Sequence, residues 1–192
     1  MDSPEEKIIA ATIGCIEKYG IDKTTIRQIG SEAGMNSASI NYYFRSKDVL
    51  MQRVMEVIMH NAFDIENFKD SEKLPARERL VCVLDGMTAG ALNFPNITKA
   101  FFSDLLTKDD PEAPIVKRFN EFIGILENEL EEAYPEKKAD DIRRILVQAC
   151  SATFLFPGMF PNFFAVYPEI DFSDLASRKT YVESLVNRLL PD

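Results

Sequence analysis

The most constraining feature of this sequence is the segment 24–47, TTIRQIGSEAGMNSASINYYFRSK, which reads as two short helices joined by a tight turn. Thr25 and Gln28 have the spacing of a capping box, which predicts that a helix begins there. Gly34 stands where that helix must end, because glycine adopts the left-handed conformation without a Cβ clash. Asn36 is a suitable N-cap for the next helix. A helix, a glycine-containing turn and a second helix form the layout that places the second helix in the DNA major groove.

The second predicted helix has little apolar surface. Ile40 and Phe44 are spaced to face inward, whereas its other positions carry small or hydrogen-bonding side chains. Asparagine can pair with an adenine edge, serine can bond bases or phosphates, and tyrosine hydroxyls suit phosphate oxygens. The alternative is a solvated polar helix with Tyr43 in the core. The residues that we predict to contact DNA are Thr25, Asn36, Ser37, Ala38, Ser39, Asn41, Tyr42, Tyr43 and Lys47.

These residues also carry a resemblance to the TetR family of transcriptional regulators, over roughly the first fifty residues. The shared positions are Thr25-Ile26-Arg27, Ile29, Ala33-Gly34, Ile40, Tyr43-Phe44 and Ser46-Lys47. The chain departs from the usual family pattern at Ser37, Ala38 and Ile40-Asn41. The resemblance implies a DNA-binding protein, and it makes Lys47 a candidate phosphate contact.

The net charge of −9 is unusual for a protein that binds DNA, but it is unevenly distributed. Residues 1–50 hold six Lys/Arg and seven Asp/Glu, so most of the excess acid lies further along the chain. No acidic residue occurs between Met35 and Lys47. A chain that is acidic overall is expected to avoid indiscriminate DNA binding and to depend on a few placed contacts.

Helical periodicity continues to the end of the sequence, and no strand-like alternation of useful length interrupts it. We therefore predict an all-α fold of about nine helices, with a helix-turn-helix DNA-binding domain at 1–47 and a helical effector-binding and dimerisation domain at 48–192. We expect a long fourth helix, because no glycine or proline occurs from Asp48 to Lys73. We also expect Pro157-Gly158 to end a helix and Ser173 to cap the last one.

Apolar side chains of the second predicted domain have two possible roles. Thirteen of the fourteen phenylalanines follow residue 50, and aromatic residues at helical spacing are usually core residues. The family resemblance implies an effector pocket among them, which would be lined by Met59, Phe63, Met87, Phe101, Phe102, Phe119, Phe122 and Phe154. It also implies a homodimer that pairs the helices at 139–156 and 173–190. The predicted dimer-face residues are Ile142, Leu146, Tyr181, Val182, Leu185 and Leu189.

Features of an enzyme are absent from the sequence. His60 is the single histidine, and no glycine-rich phosphate loop, nucleophile elbow or Cys-x-x-Cys motif occurs. Cys15, Cys82 and Cys150 lie far apart in apolar surroundings, which indicates buried thiols in a reducing compartment. We expect no cofactor, no metal, no signal peptide and no membrane partner, and a cytoplasmic location.

The sequence therefore predicts a ligand-responsive transcriptional regulator. Its expected partners are a double-stranded DNA operator of palindromic type, a small apolar or aromatic effector and a second copy of the chain, and release of a repressor is the expected mode. One alternative is a DNA-binding regulator without a small-molecule effector, controlled by a protein partner or by dimerisation. Another is a helical scaffold without DNA binding.

Overall fold

The computed structural model describes residues 3–108, 110–167 and 169–191, and in these ranges the chain forms ten α-helices and no β-strand. The predicted all-α fold is confirmed. Two of the helices join through a π-helical segment, so residues 139–159 form one continuous helical run. The helices are α1 Pro4–Tyr19, α2 Ile26–Ala33, α3 Ser37–Phe44, α4 Lys47–Ala62, α5 Ala76–Asn93, α6 Pro95–Lys108, α7 Pro114–Ala133, α8 Ala139–Cys150, α9 Phe156–Met159 and α10 Leu175–Leu189.

The chain divides into two compact units. The first unit, Met1–Asn61 with Phe94–Ala113, contains α1 to α4 and α6. The second unit, Ala62–Asn93 with Pro114–Asp192, contains the remaining helices. The chain therefore passes between the units three times. The functional domains 1–47 and 48–192 follow a different division and stay a prediction.

The core of the first unit is a set of isoleucines under α2 and α3. Ile8 and Ile16 of α1, Ile29 of α2 and Ile40 of α3 have no exposed surface. Ile97 of α6 belongs to the same buried cluster. Each fully buried aliphatic side chain contributes about 1.5–3 kcal/mol relative to an exposed one, so this cluster is the main stabilising element of the unit.

Helix α6 is fixed to α1 at its N-terminus, and it starts earlier than the sequence indicated. The sequence predicted a helix from Thr98, whereas α6 begins at Pro95, a favoured first helical residue. The Glu17 carboxylate accepts hydrogen bonds from the backbone N–H groups of Asn96 and Ile97, at 3.4 and 3.2 Å. The Asn96 side chain donates to the Glu17 carbonyl at 2.8 Å. Glu17 thus satisfies N–H groups that a helix start leaves unpaired.

Helix α4 is shorter than predicted, because it ends at Ala62 instead of continuing towards Lys73. Phe63 is buried, and the Asp64 side chain accepts from the Glu66 N–H at 3.1 Å. That cap starts a 3-10 helix at Ile65–Ser71. The prediction failed because a buried side chain and a capping aspartate redirect the chain where no glycine or proline marks an end.

The end of the helical run 139–159 also differs from the prediction. Pro157 and Gly158 do not terminate it, since both lie inside α9 after the π-helical segment Ser151–Leu155. Pro157 is the second residue of α9 and directly follows the π-helical segment. Gly158 serves packing instead, since a Cβ at that position would lie 2.6 Å from the Ala91 Cβ.

Two smaller expectations were wrong for local reasons. Asp174, not Ser173, caps α10, accepting from the Ser177 N–H at 2.8 Å. The Ser173 hydroxyl donates to Asp171 instead and holds the pKa of that carboxyl below its usual value. Cys82 is exposed, whereas Cys15 and Cys150 are buried as expected, and burial raises the pKa of Cys150 to about 12.

No helix in the described ranges combines the length and the apolar character needed to cross a bilayer.

A buried arginine organises the second unit. Arg79 of α5 donates to both carboxylate oxygens of Glu129 on α7, at 2.7 and 3.0 Å. Its Nη1 donates to the Phe68 carbonyl and to the Ser71 hydroxyl, each at 3.1 Å. Arg79 therefore fixes the 3-10 helix against α5 and α7 with hydrogen bonds that only a guanidinium can make together.

The substitution Arg79→Ala is expected to lower the free energy of unfolding by about 2–3 kcal/mol, since it leaves Glu129 and the Phe68 carbonyl without their donor. Arg143→Ala is the matched control, because Arg143 meets Glu127 at the same 2.7 Å with a side chain that is 59% exposed, against 8% for Arg79. The control is expected to leave stability nearly unchanged. Urea unfolding followed by circular dichroism measures both, and equal losses would contradict a structural role for Arg79.

Candidate nucleic-acid interface

The turn between α2 and α3 is built as the sequence indicates. Thr25 caps α2 through a reciprocal box in which the Gln28 N–H donates to Thr25 Oγ1 and the Thr25 N–H donates to Gln28 Oε1, at 3.3 and 2.7 Å. Gly34 ends α2 in the left-handed conformation, with φ 67° and ψ 29°. Gly30 is a further requirement that the sequence did not reveal. A Cβ at Gly30 would lie 2.6 Å from the Met35 carbonyl oxygen, so the turn closes only with glycine there.

Helix α3 is anchored from one side and open on the others. The Asn36 side chain caps it, accepting from the Ser39 N–H at 2.8 Å. Ile40 is fully buried and Phe44 nearly so, as predicted. Asn36 therefore has its side-chain oxygen engaged in capping, which leaves its amide nitrogen for any contact with a ligand.

The residues predicted to contact DNA are all at the surface. Ser39 and Lys47 are partly exposed, and the exposed members are Thr25, Asn36, Ser37, Ala38, Asn41, Tyr42 and Tyr43. Tyr42 is 82% exposed and Tyr43 42%, and their rings meet edge to face with centroids 5.3 Å apart. Tyr43 therefore lies outside the core, against the alternative that placed it within the core. Large exposed aromatic rings with polar hydroxyls are typical of surfaces that bind a partner.

Helix α4 begins with a cation next to this surface. The Ser46 hydroxyl caps α4, accepting from the Val49 N–H at 3.2 Å. Lys47 is the first residue of α4 and lies three residues after Phe44, the last residue of α3. The surface formed by α3 and the start of α4 can therefore present hydroxyls, an amide and an ammonium group to an anionic polymer.

One residue of this surface has an unusual backbone that sequence reasoning missed. Arg45 joins α3 to α4 with φ 61° and ψ −41°. The Ser46 N–H donates to the Phe44 carbonyl at 2.6 Å, which makes a γ-turn centred on Arg45. Such turns with positive φ are rare and strained, and they cost about 1–3 kcal/mol at a residue other than glycine. Nothing in the sequence signals a positive φ at Arg45.

The predicted effector-pocket residues are divided between the units. Met59, Phe101 and Phe102 belong to the first unit, where Phe101 packs against the isoleucine core. The members in the second unit are Phe63, Met87, Phe119, Phe122 and Phe154. Four of these form a chain of ring contacts, with centroid distances of 5.7 Å for Phe63–Phe119, 6.1 Å for Phe63–Phe122 and 5.6 Å for Phe119–Phe154. We call these four rings the aromatic cluster.

A groove of about 400 Å³ lies elsewhere in the second unit, and it contains none of the predicted pocket residues. It is lined by Leu74, Arg77, Glu78, Val81, Cys82, Lys179, Glu183 and Asn187, which come from α5, α10 and the segment before α5. The groove is lined by both charged and apolar side chains, and Lys179 pairs with Glu183 at 3.8 Å.

The predicted dimer-face residues differ in how much surface they can offer. Ile142, Leu146 and Val182 have no exposed surface in the single chain, so they have no area to bury against a second copy. Their apolar periodicity reflects the packing of α8 and α10 within the chain. Tyr181, Leu185 and Leu189 keep partial exposure. Val147, which is 64% exposed on α8, was not predicted.

Comparisons with known proteins agree with this description. Residues 8–54 match the family described as "Bacterial regulatory proteins, tetR family". The HTH-type transcriptional regulator BetI of Vibrio vulnificus is 26% identical over 164 residues, which is 81% of each chain. A TetR-like transcriptional regulator from Rhodococcus sp. RHA1 shares the fold with a TM-score of 0.61 at 17% identity, over 96% of this chain and 94% of that one. The regulator FadR of Bacillus subtilis, solved with stearoyl-CoA, has a TM-score of 0.60 at 18% identity, over 94% and 96% of the chains.

The matched segment 8–54 runs from α1 into α4, so it contains the capped turn, α3 with its exposed polar face and Lys47. The BetI relative extends the match well beyond that segment. On these grounds the chain is similar to the TetR family of DNA-binding transcriptional regulators, whose model matches residues 8–54.

Proposed function

We propose that this protein is a homodimeric repressor that leaves its operator when a small apolar or aromatic effector binds in its second unit. The observation that carries the proposal is the exposed polar face of α3, held on a buried isoleucine core. Polar side chains exposed on this face are available to bind an external partner.

In the proposed complex α3 lies in the major groove. Its eight residues span about 12 Å, which matches the groove width of about 12 Å. Asn41 is suited to an adenine edge, and Ser37 at the start of the helix is suited to a base edge or a phosphate. Tyr42, Tyr43 and Lys47 supply hydroxyls and a charge for phosphates along one strand. Base discrimination then rests on few side chains, so two copies acting together are needed for specificity.

A two-fold dimer would provide those copies. The proposed face lies on α8 and α10, which pack against each other within the second unit. It uses Val147 with Tyr181, Leu185 and Leu189, which still have accessible surface. Two reading helices related by a two-fold axis bind half-sites about 34–36 Å apart, which predicts a palindromic operator.

The proposed effector site is the aromatic cluster. Its members are apolar and come from separate elements, since Phe119 and Phe122 lie on α7, Phe154 lies in the π-helical segment and Phe63 follows α4. π-Helical turns occur frequently at functional sites. The fold is shared with a regulator solved with stearoyl-CoA, which makes a long acyl chain the first effector class to test.

The effector signal would reach the reading helix through the three chain crossings between the units. Helix α6 lies between the second and third crossings, and Glu17 binds its N-terminus to α1 within the first unit. A repressor needs a coupling free energy of only about 1–3 kcal/mol between effector and operator. We further propose a cytoplasmic location and no catalytic activity. His60, the single histidine, is exposed on α4.

A mobility-shift titration tests DNA binding, with the duplex immediately upstream of the protein's own gene as the probe and a shuffled duplex of equal composition as the reference. Wild type is expected to bind the upstream duplex more tightly. Tyr42→Ala and Lys47→Ala are expected to weaken binding, and Lys47→Ala should lower the salt slope by about one per subunit.

Lys99→Ala is the control for the loss of one positive charge, because Lys99 is exposed on α6 outside the reading surface. It is expected to leave affinity and salt slope unchanged. Equal binding of both duplexes by wild type would overturn the proposal and would favour a scaffold without specific DNA binding.

Stearoyl-CoA, stearic acid and CoA alone test the effector class. Acyl ligands that bind the aromatic cluster should weaken operator binding by about 5–150-fold, and CoA alone should have no effect. Phe119→Ala should remove the response, since Phe119 is the partly exposed member of the cluster. Val116→Ala is the control, on the same helix α7 and also partly exposed. Calorimetric titration is the direct binding measurement, because the chain has no tryptophan to report by fluorescence.

A second candidate keeps DNA binding and replaces the small effector with control by dimerisation or a protein partner. The burial of Phe63, Phe122 and Phe154, each at most 5% exposed, favours this second candidate, because these rings are already packed and leave little surface for a ligand. Unchanged operator affinity with every acyl ligand, together with a concentration-dependent dimer, would support this candidate over the first.

A further inference from the structure

Arg45 is the one residue other than glycine with positive φ in the described ranges of the chain. Its turn is held from both sides, because Phe44 before it is buried in the core and Ser46 after it caps α4. The Arg45 N–H also donates to the Asn41 carbonyl at 2.8 Å. The surrounding structure thus imposes the conformation on whatever residue stands there.

Glycine adopts this conformation without strain, yet the position carries arginine. The Arg45 side chain is exposed, and within the described residues its guanidinium makes no hydrogen bond or ion pair. Packing and internal charge pairing therefore do not account for the arginine. Strained positions of this kind cluster at functional sites, where the side chain serves a ligand.

The position of Arg45 identifies the ligand. It follows the last residue of α3, an eight-residue helix about as long as the major groove is wide, so it lies at the groove edge when α3 is in the groove. Phosphates line that edge, and in related helical readers the C-terminal end of the recognition helix contacts the backbone. Its Cα is at most about 7.6 Å from that of Lys47, so both cations can reach one stretch of a strand.

We propose that Arg45 binds an operator phosphate next to the one bound by Lys47, and that its strained backbone is maintained for this contact. The inference rests on the proposed DNA binding. A guanidinium can donate two parallel hydrogen bonds to a phosphate, which fixes the orientation of the reading helix as well as adding affinity. Arg45 would thereby supply a positive charge next to α3, which contains no cation of its own.

Three variants separate the side chain from the backbone. Arg45→Gln removes the charge and keeps the strain, Arg45→Lys keeps the charge and loses the two-donor geometry, and Arg45→Gly removes both charge and strain. We expect Arg45→Gly to unfold about 2–4 °C above Arg45→Gln, because glycine relaxes the γ-turn. Thermal unfolding by circular dichroism gives this comparison.

The binding readout is the dependence of affinity on salt, measured with the upstream duplex and with the shuffled duplex. Arg45→Gln and Arg45→Gly should each lower the slope by about 1.8 per dimer on both duplexes, since each lost phosphate contact removes about 0.9. Affinity for the upstream duplex should fall at least about tenfold in both. Arg45→Lys should keep the slope and lose part of the affinity.

Wild-type slope and affinity in Arg45→Gln would overturn the inference, even if Arg45→Gly binds weakly, because the effect would then come from backbone flexibility. A midpoint for Arg45→Gly at or below that of Arg45→Gln would overturn the claim that strain is maintained. The shuffled duplex keeps this test independent of specificity. Equal wild-type binding to the two duplexes would overturn the proposed function alone. If wild type binds neither duplex, the proposed function and the Arg45 inference are both overturned.

Discussion

The reading helix depends on the burial of Ile40 and Phe44. An isolated helix of fewer than about 12–15 residues is marginal in water, and α3 has only eight, with serines and asparagine that favour other conformations. Its helicity therefore comes from packing two side chains against the isoleucines of α1 and α2. Because two residues are enough to anchor α3, the remaining six are free to be polar, exposed and chosen for a partner. The core thus makes the chemistry of the surface possible.

Local signals in the sequence predicted most of the first unit. The capping box at Thr25 and the left-handed Gly34 involve residues at most a few positions apart, so the sequence contains the complete interaction. Long-range features were missed. Glu17 and Asn96 are 79 residues apart, and Gly158 is required by its approach to Ala91, so neither contact can be read from a local pattern. Ile142, Leu146 and Val182 were predicted on a dimer face for a related reason, since apolar periodicity does not distinguish a face buried within the chain from one that a partner covers.

The candidate DNA-binding surface shows the same contrast between local features, which the sequence predicts, and long-range features, which it misses. The sequence predicted the reading surface on α3 from its many polar side chains, and every residue predicted there is at least partly exposed. It could not identify Arg45, because backbone strain is set by how α3 and α4 meet, with the C-cap bond to Asn41 and the buried Phe44 fixing the turn. Nor could the sequence decide whether the aromatic cluster is core or pocket. The same apolar rings suit both roles, and only a bound ligand distinguishes one role from the other.

The proposed function requires that two copies of α3 occupy successive major grooves of one operator. Methylation interference with dimethyl sulfate tests it most directly, because the reagent modifies guanine N7 in the major groove. We expect two interfering patches on one face of the duplex, centred about 10–10.5 base pairs or a multiple of that apart, and related by two-fold symmetry. Interference confined to a single patch, or binding that is indifferent to major-groove methylation throughout the protected site, would contradict it.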